Sequence, residues 1–363
     1  MTKADKEGQR KAPILRFKGF TDDWEQRKLL KVCKKEDNKR IPIKEHERKE
    51  GNTPYFGANG IQGYIDGYTH DGTNILIAED GANNVRNYPI KLITGKIWVN
   101  NHAHVLKVNT KTNNGNFLVG AIKKINFYRY LVGSSRYKLT AESLNQVKIK
   151  IAKQSEQEKI GELLKNIEEL LTLYERKYQL YLLQFQKLQR VIFDNSDDFI
   201  SLSYLIEIKT GNRNSQDNVK NGKYVFFDRS TEIKRLNEFD FDEEAIIIPG
   251  EGTKFAPKYI NGKYALHQRS YSLYNFSQEI DSKYLYYFLM TQSNTLLRYS
   301  VGTTVPSLRV STFDHIKVPM YSKELQIKYA LTFDSLEKLM NQIKKKTNIL
   351  RSLKRFLLQV LFL

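Results

Sequence analysis

An internal repeat is the feature that most restricts how this chain can fold. Residues 129–135 recur as residues 298–304, so the two copies lie 169 residues apart. The same separation continues without insertion for about sixty-five positions. It joins Leu139 with Leu308, Lys148 with Lys317, Gln157 with Gln326, Glu168 with Glu337, Leu188 with Leu357 and Phe193 with Phe362. A constant register over that length excludes chance matching and predicts two copies of one structural unit.

The repeat extends upstream with small slips. Residues 75–81 and residues 246–252 each place three aliphatic residues shortly ahead of an acidic residue and a glycine. Residues 95–102 and residues 262–269 each begin with Gly-Lys and end with an amide residue followed by His or Arg. Each copy therefore contains a variable globular domain followed by a similar helix.

Residues 153–193 are predicted to form one long helix, with Ser155 as N-cap and Glu158 completing a capping box. Apolar or aromatic residues alternate along it at spacings of four and three. They are Ile160, Leu164, Ile167, Leu171, Tyr174, Tyr178, Tyr181, Phe185, Leu188 and Ile192. The second copy carries the same heptad stripe, interrupted by Thr347 and Lys354. Because a complete domain lies between the two helices, we expect them to pair antiparallel as a coiled coil.

These patterns predict a mixed α/β fold with two β-rich domains separated by two long antiparallel coiled-coil helices. The expected boundaries are 1–152 for the first domain, 153–193 for the central helix, 194–320 for the second domain and 321–363 for the C-terminal helix. The paired stripe would span about 50 Å, or about one and a half turns of B-DNA. Such helices could hold two reading domains at a fixed separation along a duplex.

The charge of the chain indicates an anionic partner. Lys and Arg number 59 against 40 Asp and Glu, a net charge of +19. Such an excess is typical of binding to a polyanion or to a membrane surface, although a solvated basic surface stays an alternative. A single cysteine excludes a disulfide framework and fits a reducing cytoplasm. The apolar runs are too short to cross a bilayer, so we expect a cytoplasmic protein with no membrane partner.

The motifs of several enzyme classes are missing. No two prolines are adjacent, so the Asp/Asn-Pro-Pro-aromatic motif of adenine methyltransferases is absent. No Gly-Lys pair is followed by Ser or Thr, which excludes a P-loop, and there is no Gly-x-Ser-x-Gly elbow. His102 and His104 could share one face of a strand, but no third metal ligand accompanies them. The sequence therefore predicts a binding protein with no catalytic residues and no metal site.

Several segments resemble type I restriction–modification specificity subunits. Residues 13–20, Trp24 and Lys28-Leu29 are similar to the opening of those subunits. Residues 55–61, 77–83 and 98–104 resemble their target-recognition domains. In both copies the Val-Gly-Ser/Thr-Ser/Thr turn leads through a leucine into a strand and then the helix, as in the family. The resemblance covers nearly the whole chain and departs from the family in the second helix, at residues 324–327 and Lys354.

This resemblance implies a non-catalytic subunit that reads a bipartite, asymmetric double-stranded DNA sequence, one half with each domain. It also implies two methyltransferase subunits that methylate adenine N6, and restriction subunits that translocate and cleave DNA. S-adenosylmethionine, ATP and Mg would serve those partners, and no cofactor would bind this chain.

Candidate DNA contacts are side chains that can present hydrogen-bonding groups to base edges or phosphates. In the first domain they are Tyr55, Asn59, Asn83, Asn84, Arg86, Asn100, Asn101 and His102. On the repeated turns they are Ser134, Ser135, Lys138, Thr303, Thr304 and Arg309. In the second domain they are Arg213, Lys254, His267, Gln268 and Arg269. Ordinary turn chemistry or structural ion pairing is the alternative interpretation for each.

Two other functions stay open at this point. The chain could be a protein–protein adaptor that uses only its paired helices, or a single-chain methyltransferase–nuclease. The missing catalytic motifs disfavour the enzyme. A steep loss of duplex DNA affinity with rising salt would disfavour the adaptor.

Overall fold

The computed structural model describes residues 12–82, 84–85, 87–134, 137–230 and 232–362. Contacts divide the chain into two compact units. Unit 1 contains the residues up to Tyr174 together with those from Lys346 onward, and unit 2 is Glu175–Lys345. Each of the two long helices, α4 (Gln154–Phe193) and α7 (Lys323–Val360), thus contributes one part to each unit.

Unit 1 is built from antiparallel and parallel strand pairs backed by short helices. Its strands are β1 (Glu25–Lys28), β2 (Cys33–Lys35), β3 (Thr53–Gly57), β4 (Gly60–Ile65), β5 (Thr73–Ala78), β6 (Ile90–Thr94), β7 (Trp98–Val99), β8 (Ala103–Val108) and β9 (Lys148–Ile151). Its short helices are α1 (Leu29–Val32), α2 (Gly115–Lys123) and α3 (Ala141–Gln146). The sheets have the orders β2-β8-β5-β6, β4-β3-β7 and β1-β9.

Unit 2 repeats this plan with one larger sheet. Its strands are β10 (Phe199–Ser201), β11 (Glu207–Thr210), β12 (Tyr224–Phe227), β13 (Lys234–Leu236), β14 (Phe241–Pro249), β15 (Lys258–Leu266), β16 (Ser270–Tyr274) and β17 (Lys317–Pro319). Its short helices are α5 (Ser282–Leu289) and α6 (Ser293–Arg298). The main sheet has the order β11-β16-β14-β15-β12-β13, and β10 pairs with β17.

Strand registers show that the two units are equivalent. Ile75 on β5 pairs with Leu106 on β8, as Ile246 on β14 pairs with Leu273 on β16. The parallel pair of β3 with β7 corresponds to the parallel pair of β12 with the end of β15. β6 and β7 are separate strands, whereas β15 runs continuously through both positions. The four-stranded and three-stranded sheets of unit 1 therefore correspond to one continuous sheet in unit 2.

The predicted heptad stripe lies in the cores of both units. In unit 1, Leu164 and Leu171 of α4 share a core with Leu357 of α7. In unit 2, the later part of α4 packs against the earlier part of α7, with the Phe185 and Phe333 rings 5.1 Å apart. This order is antiparallel. The predicted mixed α/β fold with two long helices is confirmed.

The two interrupting residues of the α7 stripe stay within the seam. Thr347 is only 6% exposed. Lys354 is half-buried, and its ammonium group is paired with Glu168 on α4. A polar residue in a helix seam can set the register of pairing, because shifting it would leave its polar atoms without partners. The interruptions are therefore compatible with one fixed alignment in unit 1.

The prediction of Ser155 as the N-cap is wrong. The helix α4 begins at Gln154, which places Ser155 inside the first turn. Gln157 ties the first turn to the segment before it, because its Nε2 donates to the Ala152 carbonyl over 2.9 Å. Gln326 makes the same contact at the start of α7, with the Tyr321 carbonyl at 2.8 Å. Among the helices of the described ranges, none is long and apolar enough to cross a membrane.

Candidate nucleic-acid interface

Three loops of unit 1 meet, and we call residues 79–82, 100–102, 132–134 and 137–138 loop cluster 1. The Glu79 amide donates to the His102 carbonyl over 2.9 Å. The Leu139 amide donates to the Glu79 carbonyl over 2.7 Å. Asp80 and Lys138 form an isolated β-bridge. These backbone contacts bring side chains from distant parts of the sequence to one place.

Unit 2 forms an equivalent arrangement from residues 250–252, 267–269 and 301–307, which we call loop cluster 2. The Gly250 amide donates to the Arg269 carbonyl over 2.9 Å, and the Leu308 amide donates to the Gly250 carbonyl over 2.8 Å. Glu251 and Ser307 form the β-bridge that corresponds to Asp80 and Lys138. The two clusters therefore have the same pattern of backbone hydrogen bonds, while their side chains differ.

The Val-Gly pair of the repeated heptapeptide has the same backbone geometry in both clusters. Val132 and Lys138 exchange two backbone hydrogen bonds of 2.9 Å, and Val301 and Ser307 exchange two of 2.8 Å. Gly133 has a φ of +93° and Gly302 a φ of +94°, a region that favours glycine. The turn geometry explains why this glycine occurs in both copies.

A carboxylate holds a basic side chain in each cluster. In loop cluster 1, the His102 ring lies 2.5 Å from Asp80 Oδ1. In loop cluster 2, Glu251 pairs with both Arg269 and Arg229. Only 12% of the Glu251 side chain is exposed, whereas 60% of the Arg269 side chain is exposed. The carboxylate thus orients a guanidinium group that remains open to solvent.

Charge pairing keeps Glu251 ionised. Burial alone would raise the pKa of this carboxyl group, but hydrogen bonds from Arg229 and Arg269 hold the pKa below its ordinary value of 4.5. Glu79 in loop cluster 1 behaves in the same way, because Arg40 at 2.6 Å and Lys138 at 3.2 Å overcome the effect of burial on its pKa. Both clusters therefore contain anchored, charged networks at neutral pH.

Most of the candidate contacts predicted from the sequence are exposed. The exposed ones are Asn59, Asn84, Asn101, Ser134, Lys138, Lys254, Gln268, Arg269, Thr303, Thr304 and Arg309. Arg213 is half-buried, with Nε 2.8 Å from Asp240 Oδ1. Asn83, Arg86 and Ser135 lie outside the described residues. Contact of these side chains with DNA stays a prediction.

Three predicted contacts are buried, and two of them, Asn100 and His267, support the loop clusters. The Tyr55 hydroxyl accepts from the Ile43 amide over 3.1 Å. Asn100 Oδ1 accepts from the His102 amide over 2.8 Å, and His267 Nδ1 accepts from the Arg269 amide over 2.9 Å. Asn100 and His267 therefore perform the same task in the two units, which is to shape the loop that carries the basic residue.

Sequence reasoning missed the carboxylates that organise both clusters. Asp80 and Glu251 follow the repeated aliphatic strand in each copy, so the repeat contained a signal for them. Their basic partners lie about twenty residues away and carry no recognisable spacing. The two histidines do not share the face of a strand, because His102 precedes β8 and pairs with Asp80, whereas His104 lies on β8 and pairs with Asp37.

Acidification is expected to destabilise unit 2 through His267. Burial and the nearby Arg229 charge lower the pKa of His267 below its ordinary value of 6.5. The unfolded chain therefore takes up the proton more readily than the folded chain. The stability that neutral His267 contributes is fully present above pH 6.5, and it is lost as the pH falls through the lowered pKa of the folded state. Protonation would also place a hydrogen on Nδ1, which now accepts from the Arg269 amide.

Hydrogen exchange of β16 peptides, corrected for the intrinsic effect of pH, measures this loss. In His267→Gln, whose amide oxygen can accept the same bond, we expect a weaker dependence of protection on pH below 6.5. Equal dependence in both proteins would contradict the role given to His267.

Comparison with known proteins gives a consistent result. The sequence profile of the type I restriction modification DNA specificity domain matches residues 21–180 and 198–351. A putative type I restriction enzyme specificity subunit from Haemophilus influenzae is 42% identical over 148 residues, which cover 41% of this chain and 38% of that protein. The EcoDI specificity subunit of Escherichia coli is 28% identical over 158 residues, covering 43% of this chain and 35% of the relative. These alignments therefore span well under half of either relative.

A solved structure shares the fold over almost the full length. The S subunit of a type I restriction–modification system from M. genitalium superimposes with a TM-score of 0.79 at 17% identity. The superposition covers 97% of this chain and 99% of that protein.

Proposed function

The chain belongs to the type I restriction–modification DNA specificity family, and from this premise we propose that it reads a bipartite, asymmetric DNA sequence. Unit 1 would read one half of the target and unit 2 the other. The chain itself would perform no catalysis, in keeping with the specificity subunits that it resembles.

One observation carries this proposal: the two loop clusters have the same pattern of backbone hydrogen bonds but present different side chains. His102 in loop cluster 1 stands where Arg269 stands in loop cluster 2, and Asn101 stands where Gln268 stands. Arg, His, Asn and Gln offer different donor and acceptor patterns to base edges. An asymmetric target with two different half-sites requires two equivalent scaffolds that carry different base-contacting side chains.

The half-sites would be read by charged and amide groups, while the turns position the chain on the DNA. Thr303 and Thr304 are exposed on the turn of loop cluster 2, as Ser134 and Lys138 are in loop cluster 1. Hydroxyl and ammonium groups of this kind bind phosphates, which fixes register without reading sequence. The net charge of +19 favours such contacts.

Partner subunits would supply the chemistry in the cytoplasm. We propose that two methyltransferase subunits transfer a methyl group from S-adenosylmethionine to adenine N6 at the target, and that restriction subunits use ATP and Mg to translocate and cleave DNA. The two-unit architecture supports this, because equivalent units in one chain offer a similar docking position twice.

Deleting this gene is expected to abolish N6-methyladenine at one bipartite motif across the genome. Single-molecule sequencing of genomic DNA with and without the gene measures this directly and gives both half-sites. Re-expression of the chain should restore the same motif. If no motif depends on the gene while the chain still co-purifies with active methyltransferase subunits, the proposed function is wrong.

A further inference from the structure

Two arginine side chains of unit 2 are held by one carboxylate. Arg229 Nη1 donates to Glu251 Oε2 over 2.5 Å, and Arg269 Nη1 donates to Oε1 of the same group. Arg229 follows β12 and Arg269 follows β15, and the ends of these strands pair in parallel. Because parallel strands end at the same edge of a sheet, both arginines leave the sheet side by side. Arg229 is not among the candidate contacts predicted from the sequence.

Both arginines keep free the edge that can bind a base. A guanidinium group presents Nε–H and Nη2–H as a parallel fork of donors. In Arg229 and Arg269 the carboxylate takes only Nη1, and within the described part of the chain no group contacts either fork. The two side chains are 46% and 60% exposed. The fork of each arginine is therefore available to a ligand.

Arg213 shows the opposite arrangement. Its Nε donates to Asp240 over 2.8 Å, and its Nη2 donates to Glu238 over 3.1 Å. Two carboxylates thus occupy the fork itself, and only 27% of the side chain is exposed. The edge that the carboxylate takes therefore distinguishes Arg213, whose fork is used within the domain, from Arg229 and Arg269.

Hydrogen bonds fix the backbone on both sides of Arg229. The preceding residue, Asp228, is buried, and its carboxylate accepts from the Ser230 amide over 2.9 Å and from Lys234 over 2.5 Å. Burial would raise the pKa of Asp228, but these bonds hold the pKa well below its ordinary value of 3.8. Lys258 donates to the Ser230 carbonyl over 2.8 Å. Arg229 therefore leaves the sheet from a fixed point.

The carboxylate of Glu251 is carried by an equally fixed segment. Both backbone groups of Gly250 are bonded, and the Gly252 amide donates to the Pro306 carbonyl over 3.0 Å. A fixed direction favours contact with a base, whose acceptors occupy defined positions, while phosphate contacts carry no sequence information. The ionised carboxylate also offsets part of the positive charge that would attract a phosphate. The two forks are therefore better suited to base edges than to the DNA backbone.

Unit 1 lacks the second guanidinium group at the equivalent place. The His267 amide donates to a carbonyl that lies two residues before Arg229. The Asn100 amide makes the same bond in unit 1, and the residue two positions beyond that carbonyl is Ala58. Loop cluster 1 therefore carries His102 beside an alanine where unit 2 carries two arginines.

We propose that Arg229 and Arg269 together read two guanines in the half-site of unit 2, and that Glu251 positions both forks. Guanine presents O6 and N7 as adjacent acceptors on its major-groove edge, and a guanidinium fork matches this pair. Two hydrogen bonds and one carboxylate separate the Nη1 atoms by about 7 Å, so the guanines should lie within about two base-pair steps at ~3.4 Å per step. This inference rests on the proposed function and adds Arg229 and the identity of the bases to it.

The experiment uses the full chain co-purified with its methyltransferase subunits and duplexes that carry the motif found by methylation sequencing. Each guanine of the motif is replaced in turn by 7-deazaguanine, which lacks the N7 acceptor and still pairs with cytosine. At two guanines of one half-site, we expect the replacement to lower affinity about threefold to tenfold, as for the loss of one hydrogen bond.

Alanine variants assign each guanine to one arginine. Arg229→Ala should abolish the effect of 7-deazaguanine at one of the two positions and Arg269→Ala at the other, because a lost acceptor has no cost once its donor is gone. Arg235→Ala is the matched control, since Arg235 Nη1 donates to the Gly222 and Lys223 carbonyls before β12, at the end away from Arg229. It should weaken binding to all duplexes by a similar, small factor and keep both effects.

Glu251→Gln tests the positioning role. The glutamine amide has one acceptor in place of two, so at least one arginine loses its support. We expect the effect of 7-deazaguanine to shrink at one or both guanines. Affinity for a scrambled duplex should stay equal or rise, because a negative charge has been removed. A variant that had merely unfolded unit 2 would lose affinity for the scrambled duplex as well.

The outcomes are distinguishable. If Arg229→Ala weakens all duplexes equally, as Arg235→Ala should, Arg229 contacts phosphate and its reading role is overturned. A motif without two such guanines in one half-site, or guanines that respond to neither arginine, would overturn the pair. Unchanged responses in Glu251→Gln would overturn the role of the carboxylate. Absence of any gene-dependent motif would overturn the proposed function itself, which differs from a bipartite motif whose guanines do not depend on the arginines.

Discussion

Leu171→Asp is expected to destabilise unit 1 by about 3 kcal/mol or more, because it places a carboxylate in an apolar seam. Leu171 is 7% exposed and belongs to the same core as Ile167 and Leu357. The new carboxyl group would lie among apolar side chains. It would either be protonated, which costs free energy, or ionise and force the helices apart. Both routes lower the free energy of unfolding.

Tryptophan fluorescence is a suitable measurement, because both tryptophans of the chain, Trp24 and Trp98, belong to unit 1. Urea unfolding monitored in this way therefore reports on the surroundings of these two residues in unit 1. The matched control is Leu170→Asp, since Leu170 is the preceding residue and is 42% exposed. It should change stability by about 0.5 kcal/mol or less. Equal midpoints for the two variants would show that the heptad stripe does not form the seam.

The seam could be predicted because it depends on a local property, the alternating spacing of apolar residues along one helix. The same holds for the repeated turn, whose glycine sits in equivalent positions at Gly133 and Gly302. The start of α4 was less predictable. Ser155 fits a capping pattern, but the helix begins one residue earlier, at Gln154. The contact that Gln157 makes with the Ala152 carbonyl, just after β9, follows no capping pattern in the sequence.

The loop clusters could be predicted only in part, since they depend on contacts between distant residues. Arg269 was a candidate from its residue type, but its pairing with Glu251 and the pairing of Arg229 with the same carboxylate require the strand order of the sheet. The burial of Asn100 and His267 likewise follows from the parallel pairing of β3 with β7 and of β12 with β15. No periodicity along the chain encodes those pairings.

Positions at which the two copies agree and positions at which they differ have different places in the structure. Where the copies agree, as in the turn and the leucine that follows it, the structure uses them for backbone geometry. Where they differ, as at His102 and Arg269, the side chains project from a common scaffold. We therefore expect the two units to read different bases through exposed positions at which the copies differ, such as Arg269 and His102. That distinction gives the sharpest test of independent half-site recognition.

Arg269→Ala is expected to lower discrimination at one half-site about tenfold or more and to leave the other unchanged. A guanidinium group that forms a bidentate bond to a guanine contributes about 1–3 kcal/mol of discrimination. The substitution should not unfold unit 2, because Arg269 is exposed and Glu251 keeps Arg229 as a partner. The substitution should therefore relax the sequence requirement at one half-site without lowering the amount of folded protein.

His102→Ala, at the equivalent position of unit 1, should relax the opposite half-site. Lys263→Ala is the charge-matched control for Arg269→Ala, because Lys263 lies on β15 and pairs with Asp242 outside loop cluster 2. It should weaken binding to all duplexes by a similar, small factor, as expected for the loss of one positive charge. Methylation sequencing of cells that express each variant measures both half-sites at once. Equal relaxation of both halves by Arg269→Ala would mean that the two units do not read independently, and that asymmetry of the target arises elsewhere in the chain.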